Sequence, residues 1–191
     1  MNALAAAAVL AALAGASGAC AVEPDRGAAS AARAAAAGAP GAASVICGPE
    51  EPGERLVFEG RVLDYGGRPL AKAAVVAYHT DSEGLYNPPD SATRVPRLRG
   101  VAVTDGEGRF RFETIRPAAY PNASEPAHLH VSVLAPAHHP RFLEIWFEGD
   151  PLIGARQRER ASGNSNLVIA TLRRGESGAH HFEHDIRLEG N

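Results

Sequence analysis

The chain has 191 residues, 45% of them hydrophobic, with 20 glycines and 14 prolines, a composition that fits one globular domain rich in turns. A formal net charge of -3 provides no positive field for nucleic acid or for an acidic membrane surface. Aromatic residues make up only 6%, so the role of each tyrosine is a separate question. From the N-terminus, Met1 to Cys20 is an Ala/Leu run closing on Gly15-Ala16-Ser17-Gly18-Ala19-Cys20. A short apolar stretch followed by small residues has the form of a secretory signal and is too short for a membrane span. Residues 1–20 are therefore expected to export the chain to the periplasm, the extracellular space or the cell surface. The terminal amine is the only positive charge ahead of the run, and an Ala-rich disordered start is the alternative. Cys20 stands where a bacterial lipoprotein carries its acylated cysteine, with Ser17 where such signals usually have Leu. A lipid anchor at Cys20, the one expected link to a membrane, stays open beside plain cleavage. If Cys20 is retained and not acylated, it can pair with Cys47, the only other cysteine, in an oxidising compartment. Residues 21–47 are Ala/Gly-rich and cannot bury enough surface to offset their ordering entropy, so they read as a disordered tether. A helix over residues 28–37 is allowed by propensity but marginal by length.

The pattern changes from about Val45, and residues 48–191 read as the folded domain. Leu56, Phe58 and Arg61-Val62-Leu63 form an extended run closed by the turn cluster Asp64-Tyr65-Gly66-Gly67. Ala73 to Tyr78 is the next strand, followed by the polar turn Asp81-Ser82-Glu83-Gly84. Val101 to Thr104 leads into Asp105-Gly106-Glu107-Gly108, a hairpin signal, and Arg109 to Phe112 then alternates cleanly. Further strands are predicted over His128 to Leu134, Leu143 to Phe147, Leu167 to Leu172 and His184 to Leu188. Many short strands without a sustained helical period predict an all-β sandwich. Two irregular stretches, Asn87 to Leu98 and Arg116 to Pro126, carry Tyr86 and Tyr120 at their edges, and loops on a β scaffold are where sites are built.

His128-Leu129-His130 carries the most chemistry. In a strand, side chains two apart share a face, so both imidazoles can point at one place while Leu129, Val131 and Val133 face the core. Two phenols, Tyr86 and Tyr120, brought to that place would make a site with two nitrogen and two oxygen donors. Phenolate is a hard anionic donor suited to a trivalent, acidic ion such as ferric iron, whose charge removes the phenol proton. Taken singly, an H-x-H step is more often a solvated strand face, and a tyrosine near Gly or Pro a packing anchor. The remaining histidines read as structural: Tyr78-His79 ends a strand, His138-His139 is a turn beside Pro140, and His180, His181 and His184 form a surface cluster.

An ordered set of motifs resembles the intradiol ring-cleavage dioxygenase family. Gly60-Arg61-Val62-Leu63-Asp64, Gly67-Arg68-Pro69-Leu70 and Asp81-Ser82-Glu83-Gly84-Leu85-Tyr86 are similar to its opening. Thr104 to Pro117, running on to Tyr120-Pro121, resembles its central hairpin. Pro126-Ala127-His128-Leu129-His130 resembles its histidine strand, and Phe147-Glu148-Gly149-Asp150-Pro151 its F-x-G-D-P turn. The resemblance implies a sandwich of short, mostly antiparallel strands of the transthyretin-like kind, with a mononuclear non-haem Fe(3+) held by Tyr86, Tyr120, His128 and His130. It also implies that Tyr120 is the catalytic phenolate that gives way to a catecholate and takes up a substrate proton. The implied partners are a catechol-like ring and O2, and the implied product is a muconate-type dicarboxylic acid. Similarity is greatest to the short, exported members of the group. Two positions depart from the family pattern. Glu125 stands where an arginine is usual, three residues before the first histidine, and Ala118-Ala119 replaces Gly-Pro. The charge reversal should oppose binding of a ring carboxylate unless a neighbour such as Arg116 or Arg141 compensates. Two other readings stay open: an iron-binding but weak or inactive relative, and a binding module of the transthyretin or carboxypeptidase-regulatory kind. Such modules share the opening and the T-D-x-x-G-x-F hairpin but need neither the H-x-H nor the tyrosines.

Overall fold

A computed structural model describes residues 41–122 and 124–191. The expectations for residues 1–20, for Cys20 and its pairing with Cys47, and for a helix over 28–37 lie outside the described residues. The chain forms two sheets facing one another. The first runs β1 (Ala43–Val45), β5 (Arg109–Ile115), β2 (Arg55–Asp64), β10 (His180–Glu183), β9 (Arg173–Arg174), with β11 (Ile186–Leu188) pairing the later part of β2. The second runs β4 (Leu98–Val103), β3 (Ala74–His79), β6 (His128–Leu134), β7 (Arg141–Phe147), β8 (Leu167–Ala170). Antiparallel pairing joins the long strands, and the parallel pairings all involve one of the short strands β1, β8, β10 or β11. Strand structure thus begins at Ala43, inside the stretch read as tether, because residues 43–45 dock alongside β5.

The core lies between the sheets. Leu129, Val131 and Val133 of β6 meet Leu56, Phe58, Val62, Phe110 and Phe112 of the first sheet. Phe58 stacks on Phe182 with ring centroids 4.5 Å apart and meets Phe110 edge-on at 5.0 Å. Each such side chain contributes roughly 1.5–3 kcal/mol on burial. A one-residue slip of β6 would take Leu129, Val131 and Val133 out of the apolar space between the sheets and turn two imidazoles into it, so the apolar alternation fixes which face His128 and His130 occupy.

Two expectations are corrected. Asp105 to Gly108 is a turn, with Asp105 Oδ1 accepting the amides of Glu107 and Arg109, both at 2.9 Å, and Gly108 at φ +74°. It is not a hairpin, because β4 pairs β3 in one sheet and β5 pairs β2 in the other. Thr104 directs this crossing: its hydroxyl donates to Leu70 O at 2.6 Å and accepts the Ala73 amide at 2.9 Å. The sequence also carries a helix that no apolar period announced, α1 (Ala155–Ser162). None of its residues is buried, and it covers the outer face of the second sheet at β7 and β8. There Ala161 packs on a cluster of Trp146, Ile153 and Leu167, and the Arg160 guanidinium lies 5.4 Å over the Trp146 ring.

Candidate metal centre

His128 and His130 leave β6 on the face turned away from the core, where Tyr86 and Tyr120, from the loops after β3 and β5, reach them. Strand pairing places Arg99, Tyr78, His130 and Glu144 in one row across β4, β3, β6 and β7, with Trp146 opposite His128. The His128 and His130 rings are perpendicular with centroids 4.6 Å apart, and Tyr78 stacks on His130 at 4.7 Å.

The two tyrosines arrive from different loops that one glycine allows to touch. Asp81 organises the first: its Oδ1 accepts the amides of Glu83 at 3.0 Å and Leu85 at 2.9 Å, which delivers Tyr86. Thr80 Oγ1 donates to Ala118 O at 2.6 Å, and the Ala118 amide donates to Asp81 O at 3.1 Å, tying this turn to the segment that carries Tyr120. At the closest point Gly84 has φ +82°, and a Cβ there would lie 2.1 Å from Ala119 O. Only glycine meets both conditions. As a result Tyr86 Oη and Tyr120 Oη are 2.6 Å apart, and Tyr120 Oη is 3.1 Å from His128 Nε2. The His130 ring centroid lies 6.4 Å from that of Tyr86. All four residues singled out in the sequence therefore come together on one face.

The state of each donor has a physical cause. His128 Nδ1 is 2.8 Å from Pro126 O, so Nδ1 must carry the proton and donate it, leaving Nε2 as the lone-pair nitrogen aimed at Tyr120. Burial, with lesser contributions from His128 and His79, pushes the His130 pKa down to about 3, keeping its imidazole neutral. Burial is also the main cause that pushes the Tyr86 phenol well above its usual range, helped by the Tyr120 hydrogen bond and by the charges of Tyr120, Tyr78 and Glu144. A phenol so placed ionises only beside a strong positive charge. Asp150 of the F-x-G-D-P turn supports the strand entrance: its Oδ2 accepts the Ala127 amide at 3.0 Å and its Oδ1 the Leu152 amide at 2.9 Å.

Glu125 does not stand alone. Its Oε1 is 2.9 Å from Arg160 Nη1 on α1. The sequence pointed to Arg116 or Arg141 as compensators; instead Arg116 pairs Glu54 at 3.6 Å and Arg141 donates to the carbonyls of Arg187 and Ser165. The other histidines are structural. His79 is fully buried at the end of β3, with Nδ1 2.6 Å from Thr80 O and Nε2 2.7 Å from Thr114 Oγ1. His138 and His139 lie in a turn, while His180 and His181 pair with Glu54 and Glu59 at 3.0 and 3.1 Å. Glu59, His181 and Glu183 bring donor atoms within 4.8 Å of one another, but Glu59 is already engaged by Arg111. Sequence reasoning missed Tyr78, Glu144 and Arg160. The strand alternation that placed His130 also determines which side Tyr78 and Glu144 face, once the pairing of β3, β6 and β7 is known.

Comparisons with known proteins identify the family and the fold. A family model described as Dioxygenase matches residues 32–190. The protocatechuate 3,4-dioxygenase beta chain of Burkholderia cepacia is 35% identical over 159 residues, covering 74% of this chain and 67% of that one. The chlorocatechol 1,2-dioxygenase of Rhodococcus opacus is 31% identical over 126 residues, covering 54% and 48% respectively. The chain thus spans two thirds of the first relative and about half of the second. Among solved structures, catechol 1,2-dioxygenase from Pseudomonas arvilla C-1 superposes with a TM-score of 0.64 at 28% identity, covering 81% of this chain and 59% of that one. The dioxygenase domain from Streptomyces sp. SirexAA-E, at 21% identity and a TM-score of 0.61, covers 77% of this chain and 87% of that one and supports the fold.

Proposed function

The chain belongs to the intradiol ring-cleavage dioxygenase family, and from that premise we propose that it is an Fe(3+)-dependent dioxygenase acting on a catechol-like ring. The reaction inserts both atoms of O2 between the two hydroxyl-bearing carbons and gives a muconate-type dicarboxylic acid, with the substrate supplying the electrons. Tyr86, Tyr120, His128 and His130 would hold the iron. The observation that carries this reading is the convergence of Tyr86 Oη, Tyr120 Oη and His128 Nε2 within 2.6 and 3.1 Å. The donor chemistry fits the ion. Two neutral imidazoles and two phenols that stay protonated without a nearby positive charge suit a trivalent Lewis acid, whose charge two phenolates largely offset.

When bound, ferric iron supplies the Lewis acidity and electron-accepting capacity that ring cleavage by dioxygen requires. The side chains supply the rest. Ionised beside the bound ion, the Tyr120 phenolate, lying between the Tyr86 phenol and His128 Nε2, would take up a catechol hydroxyl proton and become the neutral phenol, leaving its place to the substrate oxygen. The Pro126 carbonyl holds His128 in one tautomer, so the imidazole keeps its lone pair while protons move at Tyr120. Tyr78, stacked on His130, lines the sheet surface on which an aromatic ring would lie, and the buried Trp146 supports that surface from beside His128. The Glu125–Arg160 pair removes the reversed charge as an obstacle to an anionic catecholate, because the carboxylate is neutralised where it stands.

We further propose that residues 1–20 export the chain. The test of function is iron content and a visible spectrum on purified protein, followed by oxygen uptake with catechol. Stoichiometric iron with a broad tyrosinate charge-transfer band, lost in a Tyr86→Phe, Tyr120→Phe double variant, is the expected result. A colourless protein holding stoichiometric zinc refutes the proposal.

A further inference from the structure

The reading above leaves Glu144 without a task. It lies directly opposite His130 in the β6–β7 ladder, which sets the two Cβ atoms about 5 Å apart on the same face. Its position is fixed from the other side: Trp146 Nε1 donates to Glu144 Oε1 at 2.5 Å, and Trp146 is itself fully buried beneath α1. The neighbouring carboxylates are neutralised, Glu125 by Arg160 and Glu148 by Arg158. Glu144 forms no salt bridge with any described residue. The cation of its own row, Arg99, stands three strands away, about 14 Å at the usual strand spacing. Arg160 approaches only across the Trp146 ring and carries its own counter-ion. Glu144 thus sets a negative charge without a described cationic partner on the sheet surface beside the four donors, while Asp150 is held by the Ala127 and Leu152 amides.

Resting on the ferric catechol reading, we propose that Glu144 is a specificity-determining residue that rejects catechols bearing a ring carboxylate and favours those whose substituent is uncharged or cationic. A carboxylate on a ring bound over His130 would come within about 8 Å of Glu144, and like charges at that distance in a partly buried site cost about tenfold to thirtyfold in affinity. The phenolic oxygens meet the same charge in every catechol, so the ring substituent alone makes the difference between substrates. The discrimination belongs to binding, and it is read as a ratio of affinities.

The test is an anaerobic titration of the iron-loaded full chain, followed by the visible band, with catechol, 3,4-dihydroxybenzoate and 2-(3,4-dihydroxyphenyl)ethylammonium. The wild type is expected to bind the benzoate at least tenfold more weakly than the other two. In Glu144→Gln the benzoate-to-catechol ratio should fall to within about threefold, and in Glu144→Asp the discrimination should persist. Trp146, the only tryptophan, reports in the metal-free variants whether the site floor is intact, through the fluorescence of an indole that loses its carboxylate acceptor. A wild type that binds the benzoate as tightly as catechol, or a ratio unmoved in Glu144→Gln, overturns the proposal and leaves the ferric reading standing. A wild type that takes up no ferric iron overturns both.

Discussion

Replacing Gly84 by alanine tests whether the approach of two loops builds the tyrosine pair. At φ +82° any L-residue pays roughly 1–2 kcal/mol of backbone strain. The new Cβ would lie 2.1 Å from Ala119 O and 3.1 Å from Pro121 Cδ, against an ordinary contact of about 3.3 Å, so the loops must part by roughly 1 Å. Forced displacement of this kind costs a further 1–3 kcal/mol or so, giving about 2–5 kcal/mol in all and a melting point lower by about 5–15 °C. The same shift pulls Tyr86 Oη and Tyr120 Oη out of their 2.6 Å contact. An error of about 1 Å in a catalytic group is enough to cost on the order of a hundredfold in rate. Gly178→Ala is the control, since Gly178 has φ +79° with nothing within 4 Å of the added Cβ and therefore carries the strain without the clash. Thermal melts, ferric affinity and catechol turnover of both variants decide the matter. If Gly84→Ala loses no more stability than Gly178→Ala and keeps its visible band and turnover, loop contact at Gly84 is not what sets the pair.

Two further outcomes are expected. Asp150→Ala removes the acceptor of the Ala127 and Leu152 amides, loosening the entrance to His128; ferric affinity should fall about tenfold to a hundredfold, and an affinity within twofold of wild type would remove the positioning role. His79 should remain neutral down to about pH 4, because burial outweighs its hydrogen bonds, whereas the unfolded chain protonates near 6.5. The unfolded state therefore binds the extra proton, and the stability present above pH 6.5 declines as the pH falls toward 4, by about 3 kcal/mol in total. Histidine NMR across that range checks it, and a His79 titration near 6.5 would contradict the burial argument.

The parts of the fold that were legible in the sequence are those where apolar alternation carries the information. Leu129, Val131 and Val133 alternate with His128, His130 and Ser132, and β6 has the predicted limits, His128–Leu134. β5 was clear from Phe110 and Phe112, buried between the sheets. The turn at Asp105 to Gly108 was equally clear, but turn chemistry does not say whether the flanking strands pair. That depended on Thr104 binding Leu70 and Ala73, a contact spanning 34 and 31 residues. The helix Ala155–Ser162 was invisible for a related reason. None of its side chains is buried, so it has no apolar stripe to betray it, and its hold on the sheet comes from Arg160 over Trp146 and Ala161 beside Ile153 and Leu167.

The candidate site divides along the same line, and charge shows it best. Tyr86, Tyr120, His128 and His130 were found because an H-x-H step and two loop-edge tyrosines drew attention and the ordered motifs around them resemble a known family. Read by itself, Glu125 is a reversed charge beside a site for anionic ligands. In the fold its counter-ion is Arg160, 35 residues away on the helix that no pattern announced. Glu144 is the converse case. It passes unnoticed as the polar residue of an alternating strand, yet pairing with His130 puts its carboxylate on the floor of the site, where an indole N–H meets it and no described cation does. A charge acts through what surrounds it, and the surroundings on this outer sheet face come from β7, α1 and two loops rather than from the core. The electrostatics that would select among substrates therefore rest on long-range partners, and Glu144, which forms no salt bridge with any described residue, is where that selection is expected to act.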